Sequence, residues 1–120
     1  MPSPETLHAF TAAVEAGDYL GAIERFYAPD VAIHENQQAQ AGGRDAFHAR
    51  ERATLAAFQA IKGQCVRPPL VDGERVAIHW RFEMVPRAGE TRAFQELALQ
   101  TWRGDRIVEE RFFYDPAQLR

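Results

Sequence analysis

Apolar positions recur at helical spacing over the first part of the chain and alternate over the second half. Ser3-Pro4-Glu5 is a helix start: Ser caps, Pro fits the first turn and Glu complements the helix dipole. Leu7, Phe10 and Val14 follow on one face, and Gly17 closes the helix. Asp18 caps a second, short helix with Leu20, Ile23 and Phe26 inward, ended by Ala28-Pro29-Asp30. Val31–Glu35 reads as a short strand and the polar, glycine-ended run Asn36–Gly43 as a loop. A third helix over Arg44–Ala60 carries Phe47, Glu51, Thr54, Leu55 and Phe58 along one stripe. Strands are predicted over Gln64–Val71, Arg75–Val85, Thr91–Arg103 and Arg106–Asp115, with turns at Asp72-Gly73, Ala88-Gly89 and Gly104-Asp105. Helices first and a meander of long strands afterwards is an α+β order: three helices on a curved mixed or antiparallel sheet, enclosing a cone-shaped cavity.

The strand rows carry more information than the strand bounds. In Arg75–Val85, the row Val76, Ile78, Trp80, Phe82, Met84 is wholly apolar and must be buried. The opposite row is Arg75, Ala77, His79, Arg81, Glu83. In Thr91–Arg103, Phe94, Glu96, Ala98, Gln100 and Trp102 share a side. The last strand is mixed on both sides: Val108, Glu110, Phe112, Tyr114 against Ile107, Glu109, Arg111, Phe113, Asp115. Such rows fit a strand covered on both faces, by a pocket and by a partner, and equally fit an ordinary strand with a noisy pattern.

Composition narrows the function. The 120 residues, 46% hydrophobic and 26% charged, suit one domain spanning the chain. A net charge of −3 provides no basic field, which argues against nucleic acid or an anionic membrane as partner. No window approaches a membrane span and no basic-then-apolar leader opens the chain, so a soluble, cytoplasmic protein is expected. The lone Cys65 fits a reducing compartment. His8, His34, His48 and His79 never pair at ligand spacing on one element, so neither a metal site nor a cofactor is expected.

Ala16-Gly17-Asp18, Phe26-Tyr27-Ala28-Pro29-Asp30-Val31, Gly43-Arg44-Asp45-Ala46 and the run Trp102 through Tyr114 together resemble the NTF2-like superfamily, in particular its SnoaL-like branch. The resemblance covers nearly the whole chain and implies the cone fold, but it does not select an activity among isomerases, polyketide cyclases, dehydratases, epoxide hydrolases and non-catalytic binding domains. It implies that the base carboxylate of the ketosteroid isomerases falls on Glu35, which shares a row with Val31 and Ile33. The isomerases' hydroxyl donor falls on Phe10 and their second acid on or beside Ala98, neither of which can donate, and this argues against steroid isomerase activity proper.

The resemblance also decides which rows face inward. It implies an apolar wall of Trp80, Trp102, Phe112 and Tyr114 and polar groups Glu35, Asn36, Glu96, Gln100 and Glu110, with Glu51 arriving from the third helix. Carboxyls crowded in such a space either hold protons or are neutralised by arginines such as Arg44 or Arg50; no arginine lies on an inner strand row, which lowers the epoxide-hydrolase reading. The remaining row, Ala77, His79, Leu97, Leu99, Ile107, Arg111 and Phe113, has no helix left to cover it. It is expected to form an isologous homodimer interface in which Glu109, Arg111 and Arg81 pair across the two-fold axis. Two function classes follow: a cofactor-free isomerase or cyclase using Glu35 as general base on a hydrophobic carbonyl compound, or a non-catalytic domain for binding a hydrophobic small molecule or for assembly.

Overall fold

The structure, a computed structural model, describes residues 1–120. Helix α1 (Pro4–Glu15) begins where Ser3 Oγ accepts from the Thr6 amide at 3.1 Å, and α2 (Tyr19–Phe26) where the Asp18 carboxylate accepts from the Gly21 amide at 3.1 Å. Their inward faces place Leu7, Phe10, Val14, Tyr19, Ile23 and Phe26 in the core. The chain then turns directly into β1 (Tyr27–Glu35). Ala28-Pro29-Asp30 therefore begins a strand instead of ending a helix; a register shift between Tyr27 and Ala32 accommodates the proline beside β6.

The segment expected as a loop contains an edge strand, β2 (Gln38–Gln40), folded back on β1. Asn36, at φ 53°, supplies the left-handed turn between them. Helix α3 (Gly43–Ala57) ends three residues earlier than its apolar stripe suggested, because Phe58, Gln59 and Ala60 open the long strand β3 (Phe58–Asp72). Gly43 has φ 63°, and a Cβ there would meet the Pro29 carbonyl oxygen at 2.6 Å, so this residue lets the helix start against β1.

Strands β4 (Arg75–Pro86), β5 (Arg92–Arg103) and β6 (Arg106–Phe113) complete a six-stranded sheet in the order β2-β1-β6-β5-β4-β3. All neighbours are antiparallel except β1 and β6, which run parallel. The three helices cover one face, and no helix of the chain is long and apolar enough to cross a membrane.

One expectation about β6 is corrected. Thr101 pairs with Glu109 but Trp102 pairs with Ile107, so Val108 is an extra residue in the strand. A bulge moves every earlier residue to the other side of the alternation. Ile107 consequently faces the helices, fully buried with Trp102, and is no part of the outer face. Burying an isoleucine stabilises by roughly 2 kcal/mol, which the outward reading forgoes. The residues beyond the bulge keep their assigned sides: Glu110 and Phe112 inward, Arg111 and Phe113 outward.

Candidate functional site

The register builds the site in rows. Ile78, Ala98, Phe112 and Glu35 lie side by side across β4, β5, β6 and β1, and one step along come Val76, Gln100, Glu110 and Ile33. Trp80 stands opposite Glu96. Between this sheet face and the helices lies a cavity of about 300 Å³, with sixteen of its 22 lining residues hydrophobic. Phe10 and Ile23 close its helix side, and Glu51 and Thr54 enter from α3. Gly63 on β3 leaves room for Tyr19, whose hydroxyl donates to the Ile61 carbonyl at 2.9 Å; a Cβ at Gly63 would lie 2.9 Å from Phe82.

At the mouth, a short 3-10 turn (Pro116–Leu119) brings Leu119 to the cavity. The turn is tied to β5 by two reciprocal bonds: Gln118 Nε2 donates to the Gln95 carbonyl at 2.9 Å, and the Gln95 amide donates to Gln118 Oε1 at 2.8 Å.

Of the residues expected in the cavity, Glu35, Glu51, Trp80, Glu96, Glu110, Phe112 and Tyr114 line it. Trp102, Gln100 and Asn36 do not. Trp102 is completely buried against the edges of Phe10 and Phe26, deeper than the cavity floor. Gln100 is also completely buried and joins Trp102 to Glu110: it accepts from Trp102 Nε1 at 2.9 Å and donates to Glu110 Oε2 at 2.7 Å. Asn36 is spent on the backbone. Its amide donates to the Phe112 carbonyl, its carbonyl accepts from Arg111, and its side chain accepts from the Tyr114 amide at 3.0 Å.

Several lining residues were not expected. Tyr27, at the junction of α2 and β1, donates its hydroxyl to Glu110 Oε1; its assignment to a helix end concealed it. Phe82, Phe94 and Met84 lie on inner rows legible from alternation. Arg50 reaches the cavity from α3, where the helix stripe could have revealed it. Of the two alternatives for the crowded acids, held protons or neutralising arginines, neither Arg44 nor Arg50 pairs with a carboxylate. Arg44 donates to the Tyr27 carbonyl at 3.1 Å, and Arg50 Nη1 donates to the Ala41 carbonyl at 3.1 Å while its buried Nη2 has no partner. The ion pairs of the chain are His48–Glu24, Arg67–Glu15 and Arg106–Asp105, all outside the cavity.

The acids therefore face one another without counter-ions. Burial pushes the Glu96 carboxyl up to about 8, with Glu110, Glu51 and Glu35 adding repulsion. Burial also raises Glu110 to about 7, against the pull of its bonds from Tyr27 and Gln100. Glu51 is raised by burial and then by Glu35. Glu35 Oε1 accepts from the Tyr114 hydroxyl at 2.9 Å; burial and this carboxylate hold the phenol up at about 12. The arrangement offers a carboxylate held by a hydroxyl, a guanidinium nitrogen without a partner, and acids whose burial favours the protonated form, in an apolar enclosure.

A SnoaL-like domain family model matches residues 7–110. Among solved structures, a candidate SnoaL-like polyketide cyclase from Mesorhizobium loti is 26% identical, with 92% of this chain and 97% of that chain covered and a TM-score of 0.74. TerC co-crystallised with polyporic acid is 16% identical over 96% of this chain and 92% of that chain, with a TM-score of 0.79. A hypothetical protein of ketosteroid isomerase-like fold from Catenulispora acidiphila, in complex with trimethylamine, is 21% identical over 94% and 87% of the two chains, with a TM-score of 0.77. Among curated proteins no sequence matches. With a match over most of its length and the same helix-on-sheet architecture, the chain belongs to the SnoaL-like domain family and has the NTF2-like fold.

Proposed function

We propose that the domain is a cofactor-free acid–base catalyst acting on a hydrophobic carbonyl compound, with Glu35 as the general base. The observation that carries this reading is the Tyr114–Glu35 hydrogen bond of 2.9 Å on the wall of a mainly apolar cavity. It holds the carboxylate in one orientation, and its second oxygen is free to take a proton. In the reaction, a C–H bond α to the carbonyl breaks, the proton passes to Glu35 and the electron pair moves onto the carbonyl oxygen. Arg50 Nη2, buried and without a partner, is the donor available to that oxygen. Return of the proton at another carbon is isomerisation; attack of the enolate carbon on a second carbonyl closes a ring. Family membership is consistent with either outcome.

The test is solvent-deuterium exchange at the α-carbon of β-tetralone, followed by proton NMR. Wild-type protein should accelerate exchange and Glu35→Gln should abolish the acceleration. Unchanged exchange in the variant would sink the assignment.

The uncovered sheet face supports a second copy as partner. Leu97 and Phe113 are 42% and 37% exposed, side by side across β5 and β6, with His79 next to Leu97 on β4. With Ile107 removed from this surface, Ala77, Leu99 and Arg111 form the neighbouring row. A face of this mixed character suits an isologous contact.

A further inference from the structure

We infer that the cavity takes an organic cation: an apolar ligand carrying a protonated or quaternary amine, its charge seated between Glu51 and Glu96. The inference rests on the reading of this cavity as the ligand site and adds the ligand's charge to it.

Three independent features converge. Carboxyls from four elements enter one cavity, Glu35 from β1, Glu51 from α3, Glu96 from β5 and Glu110 from β6, and no basic side chain pairs with any of them. The one cation in the wall, Arg50, bonds the Ala41 carbonyl through Nη1, and neither of its terminal nitrogens pairs with an acid. Second, the four are not equivalent. Glu35 is bonded to Tyr114, and Glu110 to Tyr27 and Gln100. Glu51 and Glu96 are deep in the cavity and take no hydrogen bond from the protein, so their oxygens are available to an occupant.

Third, a chain of rings lines the same cavity wall as Glu96, which stands opposite Trp80. Trp80 stacks on Phe82 at 6.0 Å, Phe82 meets Phe94 at 6.3 Å, and Phe94 meets Tyr114 at 5.4 Å. Ring faces carry negative quadrupole charge and attract cations. Rings and unpaired carboxyls thus ask for the same sign of charge. An anion is disfavoured by the ring faces and by either acid once ionised, and a neutral ligand leaves the two free carboxyls without an ionic partner.

The charge state responds to binding. The titratable and charged groups facing the site are Tyr19 from α2, Tyr27 and Glu35 from β1, Arg50 and Glu51 from α3, Glu96 from β5, Glu110 from β6, and Tyr114 after it. The tyrosines keep their protons: burial raises Tyr19 and Tyr114 to about 12, and burial with the neighbouring Glu110 raises Tyr27 well above the ordinary phenol value. Neutral-range titration therefore belongs to the carboxyls, with Glu96 half protonated near 8 in the empty cavity. A cation favours the ionised forms, so its binding expels protons and strengthens as pH rises toward that value.

The experiment titrates the full chain calorimetrically with benzyltrimethylammonium, its uncharged carbon isostere neopentylbenzene, and the anion phenylacetate. The cation should bind at least about tenfold more tightly than either, and its affinity should rise by about tenfold between acidic and mildly alkaline pH. Repeating the titration in buffers of different ionisation heat should show release of roughly one proton. Glu96→Gln should remove most of the pH dependence and weaken the cation by about tenfold without weakening the isostere. Should that variant lose its circular dichroism, Glu51→Gln provides the same comparison. Equal or tighter binding of the isostere or the anion, a pH-independent affinity, or no saturation by the cation overturns the proposal. A Glu35→Gln protein that still exchanges β-tetralone protons strikes the catalytic reading alone, whereas a preference for the isostere strikes only the charge assignment.

Discussion

The Tyr114 hydroxyl donates to one oxygen of Glu35 and leaves the other facing the cavity. The two residues come from different strand ends, and Asn36 holds those ends together through its bonds to Phe112 and Tyr114. Tyr114 is thus a positioning residue for the proposed base. Tyr114→Phe should lower β-tetralone exchange by about tenfold, the worth of one charge-assisted hydrogen bond, while calorimetric affinity for a cavity ligand stays nearly constant. An equal loss in both quantities would show that the phenol contributes contact area only.

Gln100 gives a prediction of the opposite kind, in stability. It is the middle link between Glu110 and Trp102, and all three are buried. Gln100→Ala leaves an indole N–H and a carboxyl oxygen without partners, which costs about 2–4 kcal/mol. Urea unfolding should report this, and the loss should exceed that of an exposed substitution such as Gln59→Ala.

Stability should also depend on pH with a definite sign. Glu96 and Glu110 are raised to about 8 and about 7, above the ordinary carboxyl value of 4.5. Between those values the folded chain binds more protons than the unfolded chain, so stability falls as pH rises. The contribution is complete below about 4.5 and is lost as pH rises through about 7 to 8. Glu15, held low by Arg67, acts in the opposite sense only at acid pH. Thermal melts at mildly acidic and mildly alkaline pH test this: a higher melting temperature on the alkaline side would contradict it.

The bulge in β6 can be tested by a pair of variants. Ile107→Ala should cost about 2–4 kcal/mol, because the side chain is fully buried beside Trp102. Phe113→Ala, removing a larger but exposed ring, should change the stability of the isolated subunit by less than about 1 kcal/mol. The reverse order would restore the uninterrupted alternation.

The outer face should respond through association. Leu97→Asp places a charge in the most exposed apolar position of the row His79, Leu97, Phe113. If two copies meet there, sedimentation should show the wild type as a dimer at micromolar concentration and the variant as a monomer. A monomeric wild type ends the dimer reading.

Much of this was legible in the chain. Capping residues located α1 and α2, and the apolar row from Val76 to Met84 located the core side of β4, because burial of one face leaves a period of two. The failures were local. Pro29 looks like a helix stop, yet a parallel partner with a register shift can absorb it. Val108 looks like any β-branched strand residue, and nothing in composition distinguishes the extra residue of a bulge. Gln100 and Trp102 were correctly turned inward, but alternation specifies the side of a sheet and not the depth beneath the cavity.

The Val108 bulge also lets Ile107 and Glu110, three positions apart, both face the interior. Deleting that one residue would join Ile107 directly to Glu109 in a regular ladder, with Trp102 still opposite Ile107 and Thr101 still opposite Glu109, so Glu110 and Phe112 would stay inward and Arg111 and Phe113 outward. The codon for Val108 is thus one the strand can lose while the enclosure keeps the same acids and rings.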